Sequence, residues 1–250
     1  MITSKILNKT NIVNHGFFNK KNGFSKGIYK SLNCGEGSED NKKSVKKNIQ
    51  YVRSRLGAKK NNIALLYQVH SSKFTFIRNF PKKKPVGDAL ITNVKNLPIG
   101  ILTADCAPIF ILDAKKKIIA AVHAGWKGAF KKITIKVIKK ILKLGAKKKD
   151  ILVVIGPSIS QKNYEVGKEF KDKFIRKSKK YSIFFRVNRK KIYFDLVKFI
   201  HNQLISFGIL KIDVIRKDTF EKKNNFFSAR RSLKKNETDY GRNISVIMLK

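Results

Sequence analysis

Apolar residues recur every three or four positions in four stretches of the chain, which is the spacing of one face of an α-helix. The four stretches are residues 45–56, 130–144, 166–178 and 196–207. Gly57, Gly145 and Gly208 follow three of them, and glycine often ends a helix because it adopts positive φ angles without strain. Asp195 precedes the last stretch, where its carboxylate can accept hydrogen bonds from first-turn amides. The pattern therefore predicts four helices.

Short runs rich in Ile, Val and Phe, bounded by turn residues, are typical of β-strands. Ten such runs span residues 63–69, 74–78, 88–92, 99–104, 108–113, 117–123, 151–155, 182–187, 209–216 and 243–249. Several follow one another without a helix between them, which predicts antiparallel pairing and an α+β fold. No repeat or Pro-rich linker divides the sequence, so we expect a single domain over residues 1–250 with a sizeable core.

The chain is strongly basic, with 57 Lys and Arg residues against 16 Asp and Glu residues and a formal net charge of +41. Lysine accounts for 47 of the 57 and arginine for 10, although arginine is the better fork for phosphates and base edges. Abundant Lys, Asn and Ile share A/T-rich codons, and the lysines are spread along the chain. We therefore expect a solvated basic surface and no specific nucleic-acid partner, with a basic nucleic-acid-binding protein as the alternative interpretation.

Other features of the composition exclude several classes of protein. Two cysteines allow at most one disulfide, which favours a reducing, cytoplasmic location. The first residues lack the apolar stretch of a signal peptide, and no run approaches the ~18 apolar residues of a membrane span, so no membrane partner is expected. Four histidines are too few for the copper centres of a multicopper oxidase.

Two histidines and one cysteine stand where predicted strands end. His70 closes the run 63–69, His123 closes the run 117–123, and Cys106 precedes the run 108–113. If a two-residue turn at 114–115 joins the last two runs, residues that sum to 229 face each other, and Cys106 then lies opposite His123. The two side chains are then roughly 5 Å apart.

Three interpretations of this group stay open from the residues alone. His70, Cys106 and His123 can form a zinc site with a fourth position for water, as in catalytic zinc centres. Cys106 and a histidine can instead form a metal-free nucleophile and base, as in a cysteine hydrolase. The third interpretation is structural, with two packed histidines and a buried thiol.

Several longer blocks of sequence resemble the bacterial laccase-domain or polyphenol oxidase family, described as zinc-dependent purine nucleoside phosphorylases. The blocks run along nearly the whole chain and include 15–18, 31–33, 68–70, 87–92, 102–108, 123–128, 155–159, 164–167, 226–231 and 241–242. The resemblance implies one zinc ion bound by His70, Cys106 and His123. It also implies helices on both sides of paired mixed or antiparallel sheets, an α-β-β-α arrangement shared with cysteine hydrolases.

The activity that the resemblance implies is phosphorolysis of adenosine, inosine and methylthioadenosine to the free base and ribose-1-phosphate. A purine nucleoside and phosphate are then the partners of a monomer or small homo-oligomer. Some adenosine deamination is also implied. Nucleobase deaminases place a Glu two residues after a ligand histidine, whereas Ser72 and Gly125 occupy those positions here.

Five further residues are candidates around the metal ligands. Asp105 adjoins a ligand and is a candidate for proton transfer or for orienting a ligand. Asn33, Lys127, Arg230 and Arg231 are candidates for binding substrate or phosphate. Lys127 stands where the family usually has arginine, and this loses a bidentate phosphate fork.

Overall fold

The computed structural model describes residues 1–58 and 62–250, which fold into helices packed on both sides of paired β-sheets. The α-helices are α1 (Lys5–Asn8), α2 (Lys42–Leu56), α3 (Trp126–Phe130), α4 (Ile133–Lys143), α5 (Lys168–Lys177), α6 (Leu196–Ser206) and α7 (Ala229–Leu233). No helix in these described ranges is both long and apolar enough to cross a membrane.

The strands form three sheets. They are β1 (Val13–Phe17), β2 (Phe74–Phe76), β3 (Ala89–Thr92), β4 (Ile99–Thr103), β5 (Ala107–Asp113), β6 (Ile118–Ala124), β7 (Ile151–Ile155), β8 (Glu165–Val166), β9 (Phe185–Asn188), β10 (Lys191–Phe194), β11 (Lys211–Val214) and β12 (Asn243–Leu249). The largest sheet has the order β11-β7-β5-β6-β3-β2, and its inner four strands pair antiparallel. The strands β1-β12-β4 and β8-β10-β9 form two small antiparallel sheets.

Alternate residues of the central strands face different layers. In β5, Ile109 and Ile111 pack in the cluster formed with α4 and α6. Phe110 and Leu112 pack instead against residues of β1, β4 and β12. The far side of that smaller sheet packs against α2, where Val52 is fully buried. The order of layers is therefore helix, small sheet, large sheet, helices, which confirms the α+β class and the predicted sandwich.

Three of the four predicted helices form as α2, α5 and α6. Gly57 ends α2 with a φ of +77°, and Asp195 caps α6 by accepting a 2.8 Å hydrogen bond from the amide of Lys198. The second prediction, residues 130–144, is wrong in detail because two helices divide that region. Lys132 has a φ of +59° between α3 and α4, and this left-handed residue interrupts the helical hydrogen bonding.

The predicted strand 63–69 is not a strand. Its extended backbone makes isolated bridges at Ala64 and Tyr67. Beyond them, the side-chain amide of Gln68 exchanges two 2.8 Å hydrogen bonds with the backbone of Leu102, in the place of a ladder pair. The run 182–187 is also divided between a 3-10 helix, which ends at Phe184, and strand β9.

The predicted turn between β5 and β6 is wrong by two residues. Asp113 pairs with Ile118, so the loop has four residues rather than two, and His123 lies opposite Pro108 instead of Cys106. Asp113 closes the loop by accepting a 2.8 Å hydrogen bond from the amide of Lys116. A shift of two residues preserves the face of every side chain, so Cys106 and His123 still point to the same side of the sheet.

Candidate metal centre

Three side chains that are distant in sequence meet at one end of the large sheet. Cys106 Sγ lies 3.9 Å from His70 Nε2, and the ring centroids of His70 and His123 are 4.8 Å apart. One ligand atom from each of the three lies within 4.8 Å of the others. His123 is buried, Cys106 is half-buried and His70 is exposed. We call these residues the metal trio.

The spacing of the metal trio fits a single metal ion. Tetrahedral zinc, with bonds of about 2.3 Å to sulfur and 2.0–2.1 Å to nitrogen, holds S and N ligands roughly 3.6 Å apart. The 3.9 Å between Cys106 and His70 needs little adjustment to reach that value. Because His70 is exposed, the side of the trio that it forms is open to a further ligand.

The central strands carry two members of the trio to the same place. His123 is the penultimate residue of β6, and Cys106 immediately precedes β5, the neighbouring antiparallel strand. Within β6, His123 shares the face of Ile119 and Ala121, which packs against the small sheet, and the Sγ atom of Cys106 lies close to the ligand atom of His123. His70 arrives from the extended segment held by Gln68, and its positive φ of 54° turns the chain there.

Asp88 organises the two histidines. It precedes β3 and lies opposite His123 in the register of β3 and β6, where its carbonyl accepts the amide of His123. Its Oδ1 is 2.8 Å from His123 Nδ1 and accepts the backbone amide of His70 at 3.0 Å. Its Oδ2 accepts hydrogen bonds from the amide and hydroxyl of Ser71 at 2.6 and 2.7 Å. This carboxylate orients His123 and leaves the Nε2 atom of that ring facing the trio.

Gly125 allows the backbone to approach the trio. A Cβ atom at this position would lie 2.9 Å from Cys106 Sγ and 3.1 Å from His70 Cδ2, closer than ordinary van der Waals contact. The residue is extended, with φ and ψ of −73° and 171°, and precedes α3. Space, and not backbone conformation, therefore requires glycine here.

The charges at the centre favour a thiolate. Burial alone would raise the pKa of Cys106, but the positive charge and hydrogen bonds of His123 and His70 outweigh it and lower this pKa to about 7. Burial likewise opposes a charged His123, whereas Cys106 and Asp88 raise its pKa to about 9. Despite burial, hydrogen bonds from His123 and Ser71 lower the pKa of Asp88 to about 2. A thiolate is the form of cysteine that binds metals.

A family model described as multi-copper polyphenol oxidoreductase laccase matches residues 14–250 of the chain. The chain belongs to this family. A relative from Rickettsia conorii named purine nucleoside phosphorylase is 34% identical over 250 residues, covering 98% of this chain and 95% of its own length. Another with that name, from Aquifex aeolicus, is 38% identical over 186 residues, covering 74% and 84%. The crystal structure of the Bacillus licheniformis protein YfiH has a TM-score of 0.87 at 26% identity, covering 95% and 93%.

In this member of the laccase-like family, the backbone amide of Arg230 is hydrogen-bonded to Asp105, the residue before Cys106, and the side chain of Arg230 lies against Tyr164. The charge of Cys106 influences the pKa of the Tyr164 phenol, which burial raises. The guanidinium of Arg230 lies 5.5 Å from the centroid of the Tyr164 ring, and its Nη1 donates a 2.7 Å hydrogen bond to the carbonyl of Glu165. No described residue accepts a hydrogen bond from the remaining guanidinium nitrogens of Arg230 or bonds to the Tyr164 hydroxyl.

Asp105, predicted as a catalytic or ligand-orienting carboxylate, is hydrogen-bonded to Thr219 and Arg230 and, among the described residues, to neither histidine of the trio. Its oxygens accept 2.7 Å hydrogen bonds from the hydroxyl of Thr219 and from the backbone amide of Arg230. Burial raises the pKa of this carboxyl group. The carboxylate that contacts a histidine of the trio is Asp88, and the role of Asp105 stays a prediction.

The other predicted binding residues, Asn33, Lys127 and Arg231, differ in their burial and in their hydrogen-bond partners. Asn33 is fully buried, and its amide donates to Ser38 and Asp40 while its oxygen accepts the amides of Gly35 and Arg242, so its bonding capacity is taken by the protein. Lys127 is exposed on α3 with its Nζ 5.7 Å from the Trp126 ring centroid. The guanidinium of Arg231 binds the carbonyl oxygens of residues 219, 220 and 226.

Sequence reasoning did not single out Asp88, Gly125 or Tyr164 as site residues. All three lie in the blocks that carry the family resemblance, but none has a short ligand motif around it. Pairing run 88–92 antiparallel with run 117–123 could have placed Asp88 opposite His123. No comparable signal points to Tyr164, because the sequence does not reveal how close the residue before strand β8 comes to Cys106.

Proposed function

We propose that this protein catalyses zinc-dependent phosphorolysis of purine nucleosides to the free base and ribose-1-phosphate. The metal trio is the observation that supports the proposal most. The name purine nucleoside phosphorylase, carried by relatives that match most of the chain, supplies the reaction class. Adenosine, inosine and methylthioadenosine are the proposed substrates, and the cytoplasm is the proposed location.

The residues around the trio favour zinc over the copper of the family description. Laccase chemistry needs blue and trinuclear copper centres with many imidazoles. Of the two histidines outside the trio, His15 accepts a hydrogen bond from the amide of Ser4 and His201 lies on α6. A blue copper site commonly adds a weak axial methionine, but Met248 lies in the core beneath α2. A site of two histidines, one thiolate and one open position is suited to catalytic zinc.

The protein groups near the trio supply the remaining requirements of phosphorolysis. His70, Cys106 and His123 would hold the zinc ion, which would supply a Lewis acid to polarise a substrate oxygen. Within residues 1–58 and 62–250, the remaining guanidinium nitrogens of Arg230 have no acceptor and can bind a phosphate, and the unbonded Tyr164 hydroxyl can bond the nucleoside. Asp105 acts as a positioning residue, because it holds the backbone amide of Arg230. The exposed side chain of Lys127 on α3 adds positive charge that attracts phosphate.

Incubation with inosine and phosphate tests the proposal. Zinc-loaded protein should release hypoxanthine and ribose-1-phosphate, and chelator-stripped protein should not until zinc is restored. His70→Gln should abolish both activity and stoichiometric zinc. His201→Gln should change neither, because His201 is a half-buried histidine on α6 outside the trio. Zinc-loaded protein that leaves inosine intact but cleaves esters or amides would overturn the proposed reaction.

The same assay separates two further possibilities. With adenosine, phosphorolysis yields adenine and requires phosphate, whereas deamination yields inosine without phosphate. Deamination stays a prediction from the family resemblance. A metal-free cysteine hydrolase is the second possibility, favoured by the 3.9 Å between Cys106 Sγ and His70 Nε2. Metal analysis of protein purified without added zinc distinguishes it, since about one zinc per chain contradicts a free Cys106 nucleophile.

A further inference from the structure

A basic cleft lies beside α7, and no member of the metal trio lines it. Its volume is about 570 Å³, within the range of small-molecule pockets. Five basic residues line it, against one acidic residue. Phe227 is a buried residue of the cleft wall, and Lys20 and Arg231 are half-buried. Lys235 and Glu237 lie near the mouth of the cleft.

Lys20 is a cation without an adequate counter-charge. No described residue accepts a hydrogen bond from its Nζ, which lies 6.0 Å from the centroid of the Phe227 ring. Burial and the positive charges of Arg231 and Lys235 lower the pKa of Lys20, and Glu237 opposes them. An anion in the cleft would offset both the cost of desolvating the charged Lys20 and its repulsion by Arg231 and Lys235.

Arg231 provides a second positive charge that is fixed in place. Its Nη1 donates 2.8 Å hydrogen bonds to the carbonyls of Thr219 and Phe220, and its Nη2 donates to the carbonyl of Phe226. Neutral carbonyl oxygens hold the side chain without cancelling its charge. A rigid cation attracts an anion without first paying the entropy of ordering a flexible side chain.

The acidic residue of the cleft neutralises little of this charge. Glu237 lies 3.6 Å from Lys235 Nζ, at the long end of an ion pair, and such exposed pairs stabilise weakly. The cleft therefore differs from the lysine-rich surface elsewhere. Two half-buried cations converge on one concavity, and an aromatic ring forms part of its wall.

We propose that this cleft is a second binding site, which holds the phosphate groups of a small phosphorylated molecule among Lys20, Arg231 and Lys235. Phe227 provides an apolar surface for the part of the molecule that carries no charge. The site goes beyond the proposed phosphorylase reaction and does not depend on metal in the trio. Because Arg230 and Arg231 are adjacent on α7, the same short helix contributes to the metal centre and to the cleft.

Protection of lysines from reductive methylation tests the site directly. The protein is methylated with and without pyrophosphate at about 150 mM salt, where weak surface binding is screened, and each lysine is quantified by mass spectrometry. Pyrophosphate should slow methylation of Lys20 and Lys235 at least about threefold, as expected for groups that hydrogen-bond a bound anion. Lys43 and Lys139, which are exposed and outside the cleft, should react at unchanged rates.

Calorimetric titration of two double variants provides the energetic test. Lys20→Gln with Lys235→Gln should weaken pyrophosphate binding at least about tenfold, because it removes two charge-assisted contacts. Lys43→Gln with Lys139→Gln removes the same formal charge and should leave the affinity within about twofold. Equal unfolding midpoints of the two double variants show that the loss is local.

The nature of the ligand follows from comparing three probes, namely inorganic phosphate, pyrophosphate and ADP. Tighter binding of ADP than of pyrophosphate supports a nucleotide that uses the Phe227 surface, and equal binding supports recognition of phosphate groups alone. Equal methylation of Lys20 with and without all three probes would overturn the proposal. Equal losses in the two double variants, or protection of Lys20 by single-stranded RNA but by none of the probes, would overturn it as well.

Discussion

Replacement of Asp88 by asparagine should reveal how strongly the centre depends on one carboxylate. Asp88 is fully buried, and its two oxygens take part in four side-chain hydrogen bonds of 2.6–3.0 Å. Asparagine has one acceptor oxygen and one amide donor. Whichever way the amide is turned, its NH₂ group faces a backbone amide, either that of His70 or that of Ser71.

The expected magnitude follows from this count. One buried backbone N–H loses its partner, at a cost of about 1–3 kcal/mol. The charge-assisted bond to His123 is also lost or weakened, which adds roughly 1 kcal/mol or more. We therefore expect the free energy of unfolding to fall by about 2–4 kcal/mol, or the Tm to fall by about 10 °C in a chain of this size. Loss of a carboxylate that orients a ligand histidine typically lowers metal affinity about 10- to 100-fold.

The assay is a competition for zinc between the protein and a chromophoric chelator, accompanied by urea unfolding. Asp172→Asn is the control, because it makes the same change of charge at a residue of α5 with no side-chain hydrogen bond among the described residues. This control should bind zinc like the wild type. If Asp88→Asn binds zinc within about threefold of the wild type while folded, Asp88 does not organise the ligands and the reasoning fails.

Three further predictions test other parts of the structure. Burial lowers the pKa of His15 to about 4, whereas the pKa of histidine in the unfolded chain is about 6.5. The neutral His15 therefore contributes stability above about pH 6.5, and that stability is lost as the pH falls towards 4. Between pH 7.5 and 4.5, the free energy of unfolding in urea should fall by about 2–3 kcal/mol more for the wild type than for His15→Gln. Gly125→Ala should weaken zinc binding at least about tenfold through its clash with Cys106, while Gly167→Ala, at a helix N-terminus of similar backbone conformation with open space around it, should not. Tyr164→Phe should lower kcat/KM for inosine about tenfold at unchanged zinc content, and an unchanged kcat/KM would remove the hydroxyl from the proposed chemistry.

The sequence predicted the central framework of the fold because strong local patterns specify it. The runs 151–155 and 243–249 form strands with those bounds, and α6 begins behind its aspartate cap. The pattern of apolar and polar residues did not predict elements that tertiary contacts stabilise. Strand β1 has Asn14, His15 and Gly16 between its two apolar end residues, so apolar and polar residues do not alternate in it, and its pairing with β12 makes it a strand.

The three side chains of the trio could be predicted from the sequence, but the residues that hold them in place could not. His70, Cys106 and His123 were identified at strand ends because polar, metal-binding side chains interrupt apolar runs there. The register between Cys106 and His123 was wrong by two residues, yet the even shift kept both side chains on one face. Asp88 does not stand out in the sequence in this way, because aspartate is common in the turns that precede strands. Its role depends on which strand pairs with β3, which is a property of the topology.

The structure connects the metal centre and the basic cleft through adjacent residues. Asp105 precedes Cys106 and holds the amide of Arg230, while the side chain of Arg231 lies in the wall of the cleft. An anion that binds Arg231 therefore acts on a helix that is joined to Cys106 through the single carboxylate of Asp105. Replacing that carboxylate with an amide in Asp105→Asn removes one of its two acceptor oxygens and should weaken any effect of pyrophosphate on zinc affinity, because coupling between two sites requires an element that both of them contact.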